Sequence, residues 1–378
     1  MKKMLRRIVV FALLLLSNQY GHSQTYPVYG PEVKVFISGW NTDAMEPFIS
    51  PDGNTLFFNS LNSGGDTKLY YASRVDDSTF TFIGEVNGAN EPMNPQLNAV
   101  ASLDTTGNFV WVSVRQWPLV MDNLHRGNYS GGSVTNVNRV HGNFYIYQTG
   151  WIVMDAALTY DGSQLFYCNA YFDTCNIPCQ AFMGIASRVN DSTFNTISNS
   201  AAIMQNINDT NYCVYAPQLS VDGLELYFTR YLIGGLSTEI CVSVRNSPTD
   251  TFSVPQVLIA DFPNVPEAAS PNTQMTLMYY HKKVNGTYAI HLRYRDLTGI
   301  HEENTVALRV FPNPANDVVY IDGVLPNDVV TLVNSAGQIM QQQTGSSPVN
   351  TSQLPEGIYF VNVLREEIVH TSTFTICR

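Results

Sequence analysis

Three acidic residues stand where predicted strands begin, and their side chains could act together. Glu46, Asp155 and Glu267 each directly precede Pro or Ala at the start of a short apolar segment. Carboxyl groups that meet at one site can bind a cation or another ligand, or divide the acid and base steps of glycoside hydrolysis. They can equally remain solvated or accept backbone hydrogen bonds, so the fold decides whether they meet.

Two tryptophans are candidates for stacking on a ligand. Trp40 and Trp117 adjoin predicted loops, and Trp117 lies in a polar insertion at residues 116–143. Loops on a rigid scaffold commonly carry binding residues, which makes this insertion the favoured recognition element. Packing inside the fold is the alternative role for both side chains.

Motifs for known catalytic machinery are absent from the sequence. It has no nucleophile elbow, no His-Glu-x-x-His pair and no Walker loop, and its seven histidines show no close metal-ligand spacing. We therefore expect no metal, no cofactor and no assigned catalytic residue, and a binding protein rather than an enzyme.

Composition and the N-terminus predict an exported protein. The 378 residues include 44% hydrophobic and 12% aromatic residues, which excludes disorder as the main state, and their net charge of −11 disfavours nucleic acid as a partner. Four cations precede an apolar run at residues 8–16, as in a signal peptide, here residues 1–23. Because that run is too short to span a bilayer, we expect no transmembrane segment in the mature chain.

Six cysteines accompany this export signal. Disulfides are the default state of cysteines in an oxidising compartment, and six cysteines allow 15 pairings, so the connectivity stays open. The cysteines are Cys168, Cys175, Cys179, Cys213, Cys241 and Cys377.

An internal repeat organises the chain before residue 300. The nine-residue segment at 72–80 returns at 186–194 with eight matches, and turn glycines recur about every 55 residues. These glycines are Gly53, Gly107, Gly162 and Gly223, with Gln274 taking the glycine position in a fifth copy. An Asp-Gly turn between apolar segments is typical of a hairpin.

Each repeat predicts four strands, which is the content of one propeller blade. A surplus strand at residues 33–38 precedes the first copy, while the fifth copy ends after its third strand at residues 288–294. Pairing of these two strands would close a ring of five blades and remove an open sheet edge.

The repeat resembles the PD40 or TolB-like (WD40-like) propeller repeat of secreted and envelope proteins. The resemblance rests on residues 50–58, with Asp52-Gly53 and Leu56-Phe57, and on Leu69-Tyr-Tyr-Ala-Ser that follows. It implies an all-β fold, with a five-bladed β-propeller over residues 24–298.

The last seventy residues have a different pattern. After a polar linker at residues 299–308, short alternating strands are predicted at residues 318–321, 329–333 and 358–363. Turn residues separate them, which indicates a small Ig-like β-sandwich over residues 309–378.

This segment resembles the type A C-terminal sorting domain of type IX secretion in Bacteroidota. The residues that carry the resemblance are Phe311, Pro312, Asn313, Pro314, Gly337, Leu354, Pro355, Gly357 and Tyr359. The resemblance implies passage through the periplasm, the type IX secretion machinery as a partner, and a secreted or outer-membrane surface-attached product. An adhesion or spacer domain without an address is the alternative.

The whole sequence favours a cell-surface or secreted propeller that binds a glycan or protein ligand, because a rigid ring with variable loops suits recognition. Two alternatives stay open. One is a propeller glycoside hydrolase or lyase that uses the carboxylates at the ring mouth, and the other is a structural or adhesion component.

Overall fold

The computed structural model describes residues 25–62, 66–90, 95–115, 118, 121–172, 177–235, 237–297, 308–365 and 368–378. The predicted signal peptide, Trp117, Cys175 and residues 299–307 of the predicted linker lie outside the described residues. Two compact units make up the chain, Met1–Leu297 and Thr298–Arg378. Within the described ranges, no helix is long and apolar enough to cross a membrane.

The first unit is a five-bladed β-propeller. Two N-terminal strands precede the blades, β1 (Tyr29–Lys34) and β2 (Phe36–Ser38). Blade 1 contains β3 (Met45–Ile49), β4 (Thr55–Asn59), β5 (Leu69–Arg74) and β6 (Thr79–Glu85). Blade 2 contains β7 (Pro95–Leu103), β8 (Asn108–Arg115), β9 (Leu124–Ser130) and β10 (Ser133–Arg139).

The remaining blades follow the same antiparallel order. Blade 3 contains β11 (Trp151–Leu158), β12 (Gln164–Tyr171), β13 (Gln180–Asn190) and β14 (Thr193–Thr196), and α1 (Ser200–Ile203) follows it. Blade 4 contains β15 (Tyr212–Leu219), β16 (Glu225–Leu232), β17 (Thr238–Val244) and β18 (Gln256–Ala260). Blade 5 contains β19 (Glu267–Pro271), β20 (Leu277–Val284), β21 (Thr287–Arg295) and, as its fourth strand, β1.

The ring is closed at its centre and at its edge. The first strand of each blade contacts the first strand of the next, and β19 contacts β3 in turn. At the edge, β1 pairs with β21 in antiparallel register, with Val33 opposite Leu292. Buried side chains between blades 5 and 1, among them Leu292 and Phe80, form a continuous apolar core across the closure.

The strand predicted at residues 33–38 divides in two, which corrects its bounds. Its first part belongs to β1 in blade 5, whereas β2 pairs in parallel with β6 of blade 1, with Ile37 opposite Phe80. Val35 lies between the two strands, is buried, and donates its N–H to the Ile290 carbonyl at 2.9 Å. The chain leaves one sheet for the next here, so one predicted strand serves two blades.

The repeated Asp-Gly pairs form the turns between the first and second strands. Gly53 has φ of 73° and donates its N–H to the Ser50 carbonyl at 2.8 Å, while Asp52 accepts the N–H of Asn54 at 3.0 Å. In blade 5 the same position belongs to Met275, with φ of 55° and an N–H bond to the Asn272 carbonyl. The assignment of Gln274 to the glycine position is therefore wrong by one residue.

The cysteines of the propeller lie mostly on strands. Cys168, Cys213 and Cys241 are buried, and Cys179 is half-buried. The expected disulfides are not formed among these cysteines or Cys377, the fifth one that the structure describes.

The second unit packs two sheets around its own core. One sheet has the order β22 (Arg309–Phe311), β23 (Val318–Asp322) and β26 (Val349–Asn350). The other has the order β25 (Ile339–Thr344), β24 (Val329–Asn334), β27 (Gly357–Arg365) and β28 (Ile368–Ile376). Val319, Leu332, Val361 and Phe374 meet in the core, as expected for a small sandwich of alternating strands.

The motif residues of this unit serve its turns and its core. Asn313 accepts the backbone N–H of Thr375 at 3.0 Å, and Gly337 occupies a turn with φ of 80°. Tyr359 is buried and its hydroxyl donates to the Pro355 carbonyl at 2.9 Å. These residues therefore hold the start and the end of the segment in one folded unit.

Candidate functional site

Every first strand of the propeller has an irregular register near its beginning, and four of these five irregularities contain a residue in the left-handed region. These residues are Glu46, Val100, Ala216 and Ala268, with φ between 51° and 56°. Such a conformation is strained for residues other than glycine, and a bulge redirects the neighbouring side chains. The bulges aim consecutive side chains at the central space of the ring.

Two rings of equivalent residues result when positions are counted back from the left-handed residue of each turn. The first ring, eight positions before that residue, consists of Met45, Ala99, Met154, Tyr215 and Glu267. The second ring, seven positions before it, consists of Glu46, Val100, Asp155, Ala216 and Ala268.

The three acids predicted from the sequence meet in one cavity. Glu46, Asp155 and Glu267 all line a central pocket of about 640 Å³, together with Tyr215. They come from blades 1, 3 and 5, so only closure of the ring brings them together. A cavity of this size suits a small-molecule ligand.

Glu267 is the best hydrogen-bonded carboxylate of the pocket. The Tyr215 hydroxyl donates to Oε1 of Glu267, and Nε2 of His281 lies 3.2 Å from Oε2. Nδ1 of His281 accepts the backbone N–H of Glu46 at 3.0 Å, so the ring proton resides on Nε2 and is donated to Glu267. Both oxygens of Glu267 therefore accept hydrogen bonds, as those of an ionised carboxylate do.

His281 has a structural role that the repeat explains. The equivalent residues of blades 1 and 4 are Asn59 and Thr229, and all three side chains accept the backbone N–H of a bulge residue in the next blade. Because the fully buried His281 supports Glu46 through Nδ1 and Glu267 through Nε2, it couples the two acids. Only the tertiary arrangement identifies this residue as part of the site.

Glu46 and Asp155 lie in environments that favour their protonated forms. Burial, followed by the negative charges of Asp155 and Glu267, raises the pKa of Glu46 well above its usual range. Burial and the charge of Glu267 raise the pKa of Asp155 to about 7, against the lowering effect of a hydrogen bond from the Ala216 N–H. The pocket thus combines a hydrogen-bonded carboxylate with two carboxyl groups that hold protons near neutral pH.

The raised pKa of Asp155 makes a testable contribution to stability. Since the folded chain holds this proton more tightly than the unfolded chain, Asp155 costs stability as the pH rises from about 4 to 7, and the loss persists above. At about 1.4 kcal/mol per pKa unit, Asp155→Asn should gain on the order of 4 kcal/mol in unfolding free energy relative to wild type between pH 4 and pH 8. Urea unfolding at both pH values measures this difference.

Asp191→Asn is the matched control, since Asp191 is an exposed turn residue. Its unfolding free energy relative to wild type should change far less between the two pH values. An equal change in both variants would contradict the assignment of the effect to the pocket.

Two polar atoms that face this cavity have no hydrogen-bond partner. Asp155, with 3% of its surface exposed, and Thr238, with 6%, both line the pocket, and neither Oδ2 of Asp155 nor Oγ1 of Thr238 has a protein partner. Buried polar atoms normally have one, so each of these is suited to bind a ligand.

The walls of the pocket are mainly apolar, and none of its described lining residues is Lys or Arg. Besides the residues already named, the aromatic and aliphatic lining includes Leu61, Leu97, Val112, Val114, Ile152, Phe172, Ile177, Pro178, Tyr231, Val265 and Tyr288.

A metal centre of nitrogen and oxygen ligands fits this geometry poorly. Donor atoms of Glu46, Glu267 and His281 lie within 4.8 Å of one another. However, the N–H of Glu46 occupies Nδ1 of His281, so Nε2 carries the proton and has no lone pair for a metal. Only carboxylates remain as anionic ligands in this cluster.

The predicted tryptophans do not join the described site. Trp40 packs at 4.6–5.1 Å between ring centroids against Phe58, Tyr70 and Phe82 of blade 1, and its Nε1 donates to the Asp43 carbonyl. This contact set corrects its assignment as a ligand-stacking residue. Trp117 lies outside the described residues.

Tyr215 and His281 were not identified from the sequence. Tyr215 stands in the first ring at the position that Glu267 occupies in blade 5, and a count from the turn residues could have found it. No local signal distinguishes His281, because its two hydrogen bonds connect blade 5 to blade 1 and to the neighbouring strand.

Comparison with solved structures supports the propeller fold. A structure of a BT0996 complex with RGII has a TM-score of 0.51 at 10% identity, covering 76% of this protein and 96% of its own length. Zg3597, a family 117 glycoside hydrolase of Zobellia galactanivorans, has a TM-score of 0.48 at 9% identity and covers 72% and 91%. The endo-arabinase of Bacteroides thetaiotaomicron VPI-5482 has a TM-score of 0.46 at 13% identity and covers 72% and 98%.

Sequence comparison identifies the second unit. No curated protein matches the chain. The family of the secretion system C-terminal sorting domain matches residues 309–377, which span β22 to β28. The protein therefore carries a type IX secretion C-terminal sorting domain, which directs it out of the cell, to attachment at the surface or to release.

Proposed function

We propose that the exported propeller binds a small ligand in its central pocket through Glu46, Asp155 and Glu267. The observation that carries this proposal is the meeting of three carboxyl groups from three blades in one cavity of about 640 Å³. A mainly apolar cavity with a few convergent polar groups and shifted pKa values is the typical form of a ligand site.

The composition of the pocket favours a small molecule over a glycan chain or a protein. A sugar presents many hydroxyl groups, and each needs a polar partner when it is buried. The described lining offers few such partners beyond the three acids, Asn62, Thr238 and the tyrosines. Aliphatic walls instead suit a ligand with an apolar body.

Hydrolysis of a glycosidic bond is the second candidate, and one observation favours it. Asp155 holds its proton to about pH 7, whereas Glu267 accepts two hydrogen bonds, so one carboxyl group is suited to act as an acid and another as a base or nucleophile. In this reading, Tyr215 and His281 position Glu267 and take no part in the proton transfer.

We further propose the organisation that delivers this site. Residues 1–23 act as a signal peptide, residues 24–298 form the propeller of PD40-like repeats, and residues 309–378 are the sorting domain after a linker. The repeated turns and the closing strand β1 support the propeller assignment. The type IX machinery is the partner that this organisation requires.

The proposal is tested by replacing Glu267 with Gln. This change keeps the side-chain volume but removes the charge, so a ligand identified by thermal unfolding of wild type in a small-molecule panel should bind at least tenfold more weakly. Glu85→Gln is the matched control, because Glu85 forms a surface ion pair with Lys68 outside the pocket. Isothermal titration calorimetry of the three proteins gives the affinities.

Two outcomes decide against the proposal or change its class. If no compound binds wild type, or if Glu267→Gln binds as tightly as wild type, the pocket is not the binding site. If wild type cleaves a chromogenic glycoside and Asp155→Asn loses that turnover, the hydrolase is the correct function.

A further inference from the structure

We infer that the ligand of the central pocket is an organic cation, with an ammonium group at the acids and an apolar body along the walls. This inference rests on the proposed function and specifies its ligand class. It is carried by the charge of the pocket, by the two polar atoms without partners, and by the nature of the walls.

The charge of the pocket is not neutralised by its own lining. Three carboxyl groups face the cavity, and the described lining residues include no Lys or Arg. His281 contacts both glutamates, but the N–H of Glu46 at Nδ1 opposes a second ring proton, so the imidazole stays neutral. A ligand with a positive charge would stabilise the carboxylates that burial disfavours.

The unpartnered atoms point to a hydrogen-bond donor. Oδ2 of Asp155 is buried and without a protein partner, while the other side of this carboxyl group receives the Ala216 N–H. An ammonium group has up to three donors and could satisfy this oxygen and a glutamate oxygen together. Oγ1 of Thr238, also unpartnered, can accept a third bond.

Aromatic rings around the cavity favour the same ligand class. Phe172, Tyr215, Tyr231 and Tyr288 line the pocket, and ring faces attract cations. The ring of Tyr288 already has a cation nearby, because Nζ of Lys283 lies 5.4 Å from its centroid. The aliphatic wall residues exclude water and provide the surface for an apolar body.

Other ligand classes satisfy fewer of these features. A calcium ion takes six to eight oxygen ligands, whereas the walls around the three acids consist mainly of hydrocarbon side chains. A neutral sugar would leave the carboxylates uncompensated. An organic cation satisfies the charge, the free acceptors and the apolar surface at once.

The test compares amines with alcohols of the same shape. Benzylamine, 2-phenylethylamine and hexylamine, each charged at pH 7.5, are titrated into the mature protein beside benzyl alcohol, 2-phenylethanol and hexanol, and beside calcium chloride. At least one amine should bind tenfold or more tightly than its alcohol. Glu267→Gln and Asp155→Asn should each weaken that amine at least tenfold, and Glu85→Gln should leave it unchanged.

The pH dependence gives a readout that a nonspecific apolar site would not show. Benzyltrimethylammonium has a permanent charge, so any change of its affinity reports on the protein. Its affinity should rise severalfold from pH 6 to pH 8 as Asp155 and Glu46 ionise beside Glu267, Tyr215 and His281. In Asp155→Asn this rise should shrink.

The outcomes separate this inference from the proposed function. Binding of alcohols or sugars that Glu267→Gln weakens would retain the pocket and overturn the cation. Amine binding that persists in both pocket variants, or no binding by any amine, would also overturn it. Tight calcium binding that excludes the amines would assign the acids to a metal instead.

Discussion

A chain that ends at residue 308 is expected to fold, cross the inner membrane and accumulate in the periplasm. The propeller and the C-terminal unit have separate cores, so removal of residues 309–378 leaves the propeller core intact. The sorting domain family matches the removed residues, which constitute the address. Cell fractionation with surface protease digestion should show nearly complete loss of surface and extracellular protein, against a full-length control.

A folded tail, and not only its sequence, should be required for this delivery. Val361 lies fully buried in the core of the second unit, so Val361→Asp would place an unpaired charge among apolar side chains and unfold that unit. It should reproduce the truncation, whereas Glu85→Gln in the propeller should not. Normal surface delivery of the truncated chain would disprove the assignment of the address to residues 309–378.

Removal of the closing strand is expected to have the second large effect. Without residues 25–34, β21 of blade 5 has an open edge, and Lys282 loses Glu32, whose carboxylate lies 2.7 Å from Nζ. Tyr227 also loses the hydroxyl of Tyr29 at 2.8 Å. The destabilisation should approach the about 5–15 kcal/mol that keeps a typical domain folded, and urea unfolding should lose its single cooperative transition.

A point variant and a peptide provide the controls for this experiment. Glu32→Gln removes one charge but retains the strand, so it should lower the unfolding free energy by only about 1–3 kcal/mol. A synthetic peptide of residues 25–38 should restore part of the stability of the shortened chain. A shortened chain as stable as wild type would mean that β1 does not hold the ring closed.

The repeat made most of the propeller predictable, and its errors have physical reasons. Turn glycines at equal spacing and the surplus strand led to five blades with a shared closing blade. The fifth copy was misaligned by one residue because Met275, not a glycine, adopts the left-handed turn conformation there. The division of residues 33–38 between two sheets was hidden because both parts have the same strand-like pattern.

The three acids were visible in the sequence, but their surroundings were not. Trp40 was indistinguishable from a ligand-stacking residue until its contacts with Phe58, Tyr70 and Phe82 placed it in blade 1. His281 gained its role only from hydrogen bonds to a residue 235 positions away and to Glu267. Contacts between blades leave no periodic signal, since each blade contributes one partner.

By itself, the sequence determined the blade repeat, the separate C-terminal unit and its address, because these features depend on local turn chemistry and on motifs close together along the chain. Only the tertiary structure decided that Glu46, Asp155 and Glu267 share one apolar pocket, that His281 is neutral, and which carboxyl groups retain protons. These properties depend on burial and on distances between blades, which arise only when the ring closes.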